Sequence, residues 1–175
     1  MTAAYDRTVI GSQIPKYTYG ITLGGSYKGF DCSVLLQGVA KVSGRLTDYA
    51  GYAFYQNGNI QRWQMDDHWS ADNPNRYAKY PRLEVITNQG TPNTLPSSFW
   101  LLNGNYLKVR NVQLGYKLAN AALKKAGVQH IRIYATAQNP LAFTKYPKGW
   151  DPEINTGGSY YPILANYTLG VNVNF

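Results

Sequence analysis

Two short segments hold the residue types that could catalyse a reaction or bind a metal. His68 follows two aspartates in QMDDHW, and such a group could ligate a metal ion or transfer a proton. The carboxylates of WDPE, at 150–153, could act as an acid–base pair. The other histidine, His130, lies far away on a predicted strand, and glycine-rich phosphate-binding motifs are absent. We therefore predict no catalytic site, no metal site and no cofactor, and we expect His68 to be solvated.

The long segment 41–98 is rich in aromatic side chains and shows no sustained hydrophobic period. Such rings can stack on sugars or pack against a partner protein. A loop of this length must also bury something to be ordered, so the same rings could form a small core of their own. The residues that could contact a substrate or a partner are Trp63, Trp69, Tyr77 and Tyr80.

Composition limits the classes of protein that fit. The chain has 175 residues, enough for one domain, and a net charge of +8. Residues 99–175 carry eight basic and two acidic side chains, but these are spread over predicted strands, turns and loops, which argues against nucleic-acid binding. Cys32 is the only cysteine of the sequence, so no intrachain disulfide framework exists. The first residues lack signal-peptide features, so we expect the sequence to be a piece of a longer protein.

The last stretch, ANYTLGVNVNF at 165–175, alternates without interruption between apolar residues and polar or small ones. A β-strand directs successive side chains to opposite faces, so one face of this segment is apolar throughout. About nine to eleven tilted residues suffice for a strand to cross a bilayer. The pattern therefore predicts a transmembrane strand with its apolar face toward lipid and its polar face toward a barrel lumen.

Similar alternation predicts four further strands, at 17–27, 30–40, 103–118 and 128–139. Lys28–Gly29 predicts a two-residue hairpin turn between the first two strands. In the third strand the alternation changes phase near Arg110–Asn111, which predicts a β-bulge. NAALKKAG, at 120–127, predicts a short helical connector before the fourth strand.

Short connections alternate along the chain with two long loops, at 41–98 and 140–164. Outer-membrane barrels pair short periplasmic turns with long extracellular loops, so both long loops are expected outside the cell. Trp100 and Trp150 are then expected at the outer membrane interface. The lumen-facing candidates on the fourth strand are His130, Arg132 and Tyr134.

These patterns predict an all-β fold, an antiparallel transmembrane β-barrel segment of about five strands. Five strands cannot close a barrel that faces lipid, and open edges would leave backbone groups unpaired there. We therefore expect the chain to be part of a larger barrel or to associate with partner strands. Two alternatives remain open: a soluble secreted glycan-binding β-sandwich and a small oligomeric outer-membrane pore.

Several motifs occur in an order that resembles one protein family. They are DRTVIG at 6–11, PKYTYG at 15–20, YKGFD at 27–31, YLKVRNVQLGYKL at 106–118, IRIYATAQNPLAFTKYPKGWDPE at 131–153 and YTLGVNVNF at 167–175. The ordered set resembles the C-terminal end of the SusC/RagA class of TonB-dependent outer-membrane transporters. The resemblance implies that residues 1–175 form the last five strands of a 22-stranded barrel, without its plug domain. It also implies that WDPE structures a loop.

The same resemblance implies a function and a set of partners. Family members are not enzymes; they import oligosaccharides or peptides across the bacterial cell outer membrane. A SusD-like surface lipoprotein lids the barrel, and TonB supplies energy through an N-terminal part that this sequence lacks. Phe175 resembles the final aromatic residue that the barrel-assembly machinery recognises. The remaining expected partners are the rest of the barrel, its plug and outer-membrane lipid.

Overall fold

The structure, a computed structural model, describes residues 7–86, 93–154, 157 and 159–175. These residues form two compact units. The sheet unit consists of Pro15–Lys41, Asn105–Thr144 and Pro162–Phe175. The loop unit consists of the described parts of Met1–Ile14, Val42–Gly104 and Lys145–Tyr161. Asp6, the first residue of the DRTVIG motif, lies outside the described residues.

The sheet unit is a single antiparallel sheet of five strands. Its strands are β1 (Tyr17–Tyr27), β2 (Phe30–Ala40), β5 (Tyr106–Leu118), β6 (His130–Thr144) and β7 (Asn166–Asn174), and they are paired in that order. Among the described residues, β1 and β7 each pair with one neighbour only, so both outer edges of the sheet are open. The order of these five strands in the sheet is also their order in the chain, and each pair of neighbours is antiparallel.

The first two strands have the predicted bounds, whereas the others differ from them. The strand predicted at 103–118 begins at Tyr106, the one predicted at 128–139 runs from His130 to Thr144, and the one predicted at 165–175 spans Asn166–Asn174. The second long loop therefore begins after Thr144 rather than at residue 140. Pro140 does not end β6, because it lies at an irregularity where its missing N–H breaks no regular ladder.

The predicted bulge is confirmed, and it affects three strands. Register shifts between Leu35 and Leu36 on β2 and between Val109 and Asn111 on β5, so Arg110 has no direct partner residue in either ladder. On β6 the irregularity includes Asn139, whose φ of 49° lies in the left-handed region that asparagine tolerates.

Two connections close one end of the sheet, which we call the turn end. Lys28 (φ 47°) and Gly29 (φ 88°) form the predicted tight turn between β1 and β2, with both residues in the left-handed region. The predicted helical connector is α3 (Ala121–Lys125); Asn120 caps it by accepting a hydrogen bond from the N–H of Leu123 at 2.8 Å. Lys124 and Lys125 lie in its last turn. The opposite end of the sheet, where the long segments leave, is the loop end.

The loop unit has regular structure that the aperiodic sequence did not predict. It contains β3 (Ser43–Gly44) paired with β4 (Leu102–Asn103), the short helices α1 (Asp48–Gly51) and α2 (Arg62–Asp66), and two 3₁₀ turns, at Tyr55–Asn57 and Ser98–Trp100. A 3₁₀ turn or a helix of four or five residues can bury aromatic rings, but it is too short to produce a hydrophobic period in the sequence. Hydrophobic periodicity therefore does not predict these elements.

Aromatic side chains fill the core of the loop unit. One cluster is formed by Tyr52, Ala53, Tyr55, Tyr80, Ile86 and Trp100, and a second by Leu46, Ala50 and Tyr146. Trp150 packs against the second cluster, and its Nε1 donates to Oε1 of Gln61 at 2.7 Å. The rings of Trp100 and Trp150, which we expect at the outer membrane interface, both pack within this unit. Within the described ranges, no helix is long and apolar enough to span a membrane.

Candidate functional site

Apolar side chains form registered rows across one face of the sheet. The backbone pairing places the members of each row directly opposite one another, so their side chains share a face. This apolar face is exposed: Tyr27 is 72% and Leu169 is 83% exposed. The rows are Tyr27, Phe30, Tyr116, Ile133 and Val171; Gly25, Cys32, Leu114, Ala135 and Leu169; and Leu23, Val34, Val112, Ala137 and Tyr167.

The opposite, polar face carries an ion pair that spans three strands. Arg132 on β6 binds Asp31 on β2 through two hydrogen bonds, one from Nε to Oδ1 at 2.9 Å and one from Nη2 to Oδ2. The strand β5 runs between them, and Gly115 lies beneath the pair. A Cβ atom at Gly115 would lie 2.5 Å from Asp31 Oδ1 and 2.6 Å from Arg132 Nη2. The absence of a side chain at Gly115 therefore leaves room for the Asp31–Arg132 pair, which we call the brace.

The brace continues to β7 through Tyr134. The guanidinium of Arg132 lies 5.1 Å from the centre of the Tyr134 ring, a distance typical of a cation–π contact. The ring in turn covers Gly170, where a Cβ atom would lie 2.3 Å from Cζ of Tyr134. His130 Nε2 lies 3.2 Å from Nδ2 of Asn174. The three lumen-facing candidates thus all contact neighbours on β2 or β7.

A second polar group lies at the bulge and was not predicted as a site. Arg110 donates from Nε to Oε1 of Gln37 at 2.7 Å and from Nη1 to Oδ1 of Asn139 at 3.2 Å. The phase change in the sequence marks Arg110, but no local signal identifies its two partners, which are 73 and 29 residues away. These two amide side chains therefore fix the position of the Arg110 guanidinium.

Charge is divided unequally between the two units. The sheet unit holds nine of the seventeen Lys and Arg side chains but only one of the nine carboxylates, Asp31. The rest of the sequence holds eight basic and eight acidic residues, so the whole net charge of +8 belongs to the sheet unit. The only carboxylate of the sheet is already bound to Arg132.

The four aromatic residues predicted as contacts separate into two pairs. Tyr80 is 2% exposed, and its ring lies 5.8 Å from that of the half-buried Trp63 in an edge-to-face contact. Trp69 and Tyr77 present their rings at the surface, at 38% and 85% exposure. The hydroxyl of Tyr80 accepts a hydrogen bond from the N–H of Ala53 at 2.7 Å, and burial raises the pKa of this phenol.

Residues of both acidic segments take part in local hydrogen bonds. His68 Nδ1 lies 2.8 Å from the carbonyl oxygen of Met65, and no group of three metal-ligating side chains occurs in the described part of the chain. Asp151 accepts a hydrogen bond from the N–H of Glu153 at 2.9 Å, which is the turn geometry of a loop-structuring aspartate. Phe175, which follows β7, is 81% exposed.

Comparison with known proteins gives one consistent result. No family model matches the chain. It is 32% identical over 184 residues to a TonB-dependent receptor of Formosa agariphila, covering 97% of this chain and 17% of that receptor. It is 29% identical over 161 residues to the TonB-dependent receptor SusC of Bacteroides thetaiotaomicron, covering 89% of this chain and 15% of SusC. The chain thus spans less than a fifth of these relatives.

Solved structures agree with the sequence relatives. The RagAB peptide transporter matches with a TM-score of 0.72 at 26% identity, over 94% of this chain and 18% of that one. The RagAB peptide importer in its open-open state matches with a TM-score of 0.67 at 25% identity, also over 94% of this chain.

An antiparallel sheet with an exposed apolar face and a braced polar face defines a wall segment of a transmembrane β-barrel. Over nearly its whole length the chain is similar to TonB-dependent receptors of the SusC/RagA type. Such receptors are outer-membrane proteins of Gram-negative bacteria, and they are transporters rather than enzymes. This similarity argues against the soluble glycan-binding sandwich.

Proposed function

We propose that the chain forms part of the wall of an outer-membrane transporter that imports oligosaccharides or peptides together with a SusD-like lipoprotein. The observation that carries this proposal is the set of registered apolar rows, exposed on one face and backed by a polar face. Water would disfavour so large an exposed apolar surface, whereas lipid would not. The open edges of β1 and β7 would pair with other strands of the barrel.

The two ends of the sheet support one orientation in the membrane. Barrels of this kind have short periplasmic turns and long extracellular loops, so the turn end of the sheet would face the periplasm and its loop end the outside. In this orientation the brace and the Arg110 group line the lumen. TonB would act through other parts of the receptor, and the barrel-assembly machinery would recognise Phe175.

The loop unit offers a surface for the lipoprotein or the substrate. Of the four aromatic candidates, Trp69 and Tyr77 are exposed, whereas Trp63 and Tyr80 support the fold from within. The backbone holds Trp69 in place, because its N–H donates to the carbonyl oxygen of Tyr80 at 3.0 Å. We infer that Trp69 and Tyr77 form the contact surface, since rigid aromatic anchors dominate binding energy at interfaces.

The exposed thiol of Cys32 allows a direct test of which face meets lipid. A nitroxide on Cys32, in protein reconstituted into phospholipid vesicles, is expected to collide more with oxygen than with a water-soluble nickel chelate. The matched control places the label one residue along, as Ser33→Cys in a Cys32→Ser background, on the polar face. There the preference should reverse. Equal accessibility at both positions, or the opposite order, would contradict the proposed wall.

Replacing both Trp69 and Tyr77 with alanine is expected to weaken retention of the lipoprotein about tenfold, because two aromatic anchors are lost. The measurement is the amount of lipoprotein that copurifies with the affinity-tagged receptor from outer membranes. Tyr161→Ala is the control, since Tyr161 is also exposed, at 79%, but belongs to another segment of the loop unit. An equal loss in the control would show that the effect is not specific to the proposed surface.

A further inference from the structure

The apolar face contains a notch near its turn end. It follows one registered row of the sheet, in which Gly25, Cys32 and Ala135 are small and Leu114 lies between Cys32 and Ala135. A Cβ atom at Gly25 would meet no other atom within 4 Å, so the space above this residue is open. The concavity has a volume of about 930 Å³ and is lined almost wholly by apolar surface. Concave apolar surfaces of this size are suited to bind a small apolar group.

Aromatic rings form the wall of the notch on the side of the turn. Phe30 and Tyr116 contact each other with ring centres 4.4 Å apart, and Tyr27 completes the row. The ammonium group of Lys28 lies 5.2 Å from the centre of the Tyr27 ring, which holds the cation beside this wall. An apolar notch therefore ends at an aromatic wall with a positive charge on its rim.

The loop end of the same hairpin provides an internal comparison. Lys41 lies 5.6 Å from the centre of the Tyr17 ring, so the cation and aromatic ring recur there. Gly38 lies in the second row of this face from the loop end, as Gly25 lies in the second row from the turn end. The ring of Tyr19 covers Gly38, where a Cβ atom would lie 2.5 Å from Tyr19 Cζ. The loop end thus has the same charge and ring without an open notch.

Electrostatics favours an anionic ligand at the turn end. Lys28, Lys117, Lys124 and Lys125 lie on the connections or strand ends there. The one carboxylate of the sheet unit, Asp31, is bound in the brace on the polar face. Among the side chains of the sheet unit, the lysine on the rim of the notch therefore has no free acidic competitor.

We propose that the notch binds one acyl chain of an anionic phospholipid, with the phosphate of its headgroup paired to Lys28. The inference rests on the proposed function, because it requires the apolar face to be in the membrane. Each surface lysine near an anionic headgroup contributes about 1 kcal/mol, which corresponds to a change in affinity of about fivefold. The tyrosines of the aromatic wall would place this charge at headgroup level, because tyrosine is enriched at membrane–water interfaces.

The test is lipid titration of the delipidated protein in detergent, followed by native mass spectrometry. The probes are dioleoyl phosphatidylglycerol and dioleoyl phosphatidylethanolamine, which differ only in their headgroups. We expect wild-type protein to prefer phosphatidylglycerol, Lys28→Asn to lose about fivefold of that affinity, and Gly25→Phe to lose binding of both lipids at this site. Asparagine tolerates the left-handed backbone at position 28, so the turn is retained.

Lys41→Asn is the matched control, since Lys41 also has a left-handed φ of 54° and a tyrosine beneath it. An equal loss in this variant, or no preference between the lipids in wild type, would overturn the proposed site. The Cys32 label separates this outcome from failure of the proposed function. A label that reports lipid together with absent lipid selectivity would reject the site alone, whereas a label that reports water would reject both.

Discussion

Alanine at position 38 is expected to destabilise the sheet by about 1–3 kcal/mol, the usual cost of overpacking a filled site. The added Cβ would lie 2.6 Å from the backbone carbonyl oxygen of Tyr106 and 2.4 Å from Oη of Tyr19. A side chain could rotate away, but a carbonyl in a paired strand cannot move without disturbing the ladder. The measurement is unfolding by denaturant in micelles, followed by far-UV circular dichroism.

Gly25→Ala is the control for this substitution. Gly25 lies on the same hairpin and the same face, but its added Cβ would meet nothing within 4 Å. We expect its free energy of unfolding to stay within about 0.5 kcal/mol of wild type, as for an ordinary surface substitution. If both substitutions lower the free energy of unfolding equally, the cost comes from the conformational freedom of the glycine backbone. It would then not come from a clash with Tyr19 at Gly38.

Alanine at position 44 is expected to destabilise the loop unit by roughly 2–3 kcal/mol. Its Cβ would lie only 1.5 Å from the hydroxyl oxygen of Tyr146 and 2.4 Å from Cζ. The buried ring of Tyr146 would have to leave the cluster that it forms with Leu46 and Ala50, and the burial of one large side chain would be lost. All four tryptophans lie in the loop unit, so their fluorescence reports its unfolding separately from that of the sheet.

A double substitution tests this mechanism. Tyr146→Phe removes the atom that the new Cβ would meet first, so Gly44→Ala should cost less in a Tyr146→Phe background than in wild type. Gly104→Ala is a milder reference in the same unit, because its Cβ would lie 3.2 Å from Val42. Additive costs of the Gly44 and Tyr146 changes would show that the two residues do not interact in this way.

The sequence predicts the sheet well because apolar and polar residues must alternate along a strand that has lipid on one face and a polar lumen on the other. One face must be apolar and the other polar, so β1 and β2 can be located to the residue, and a change of phase reveals the bulge at Arg110. The end of β6 was missed because Pro140 is a strong local signal for a loop. Whether a proline ends a strand depends on the partner strand, which a local pattern does not contain.

The loop unit and the brace are less accessible from the sequence. Tyr52, Tyr80 and Trp100 pack from positions up to 48 residues apart without any period, so the aromatic composition predicts a core but not its members. Asp31 and Arg132 are 101 residues apart, and only the register through β5 brings them together. Gly115 looks like an ordinary strand glycine until the side chains above it are known.

The brace has a mechanical consequence. Hydrogen bonds between neighbouring strands resist separation, but a uniform slide by two residues restores most of them, so they oppose sliding weakly. Asp31 and Arg132 join two strands that are not neighbours, and their bidentate geometry is lost on any slide of β2, β5 or β6. The pair therefore acts as a diagonal strut in the sheet. A pull applied to one of these strands near the turn end is shared among all three, which makes this part of the wall stiff in shear.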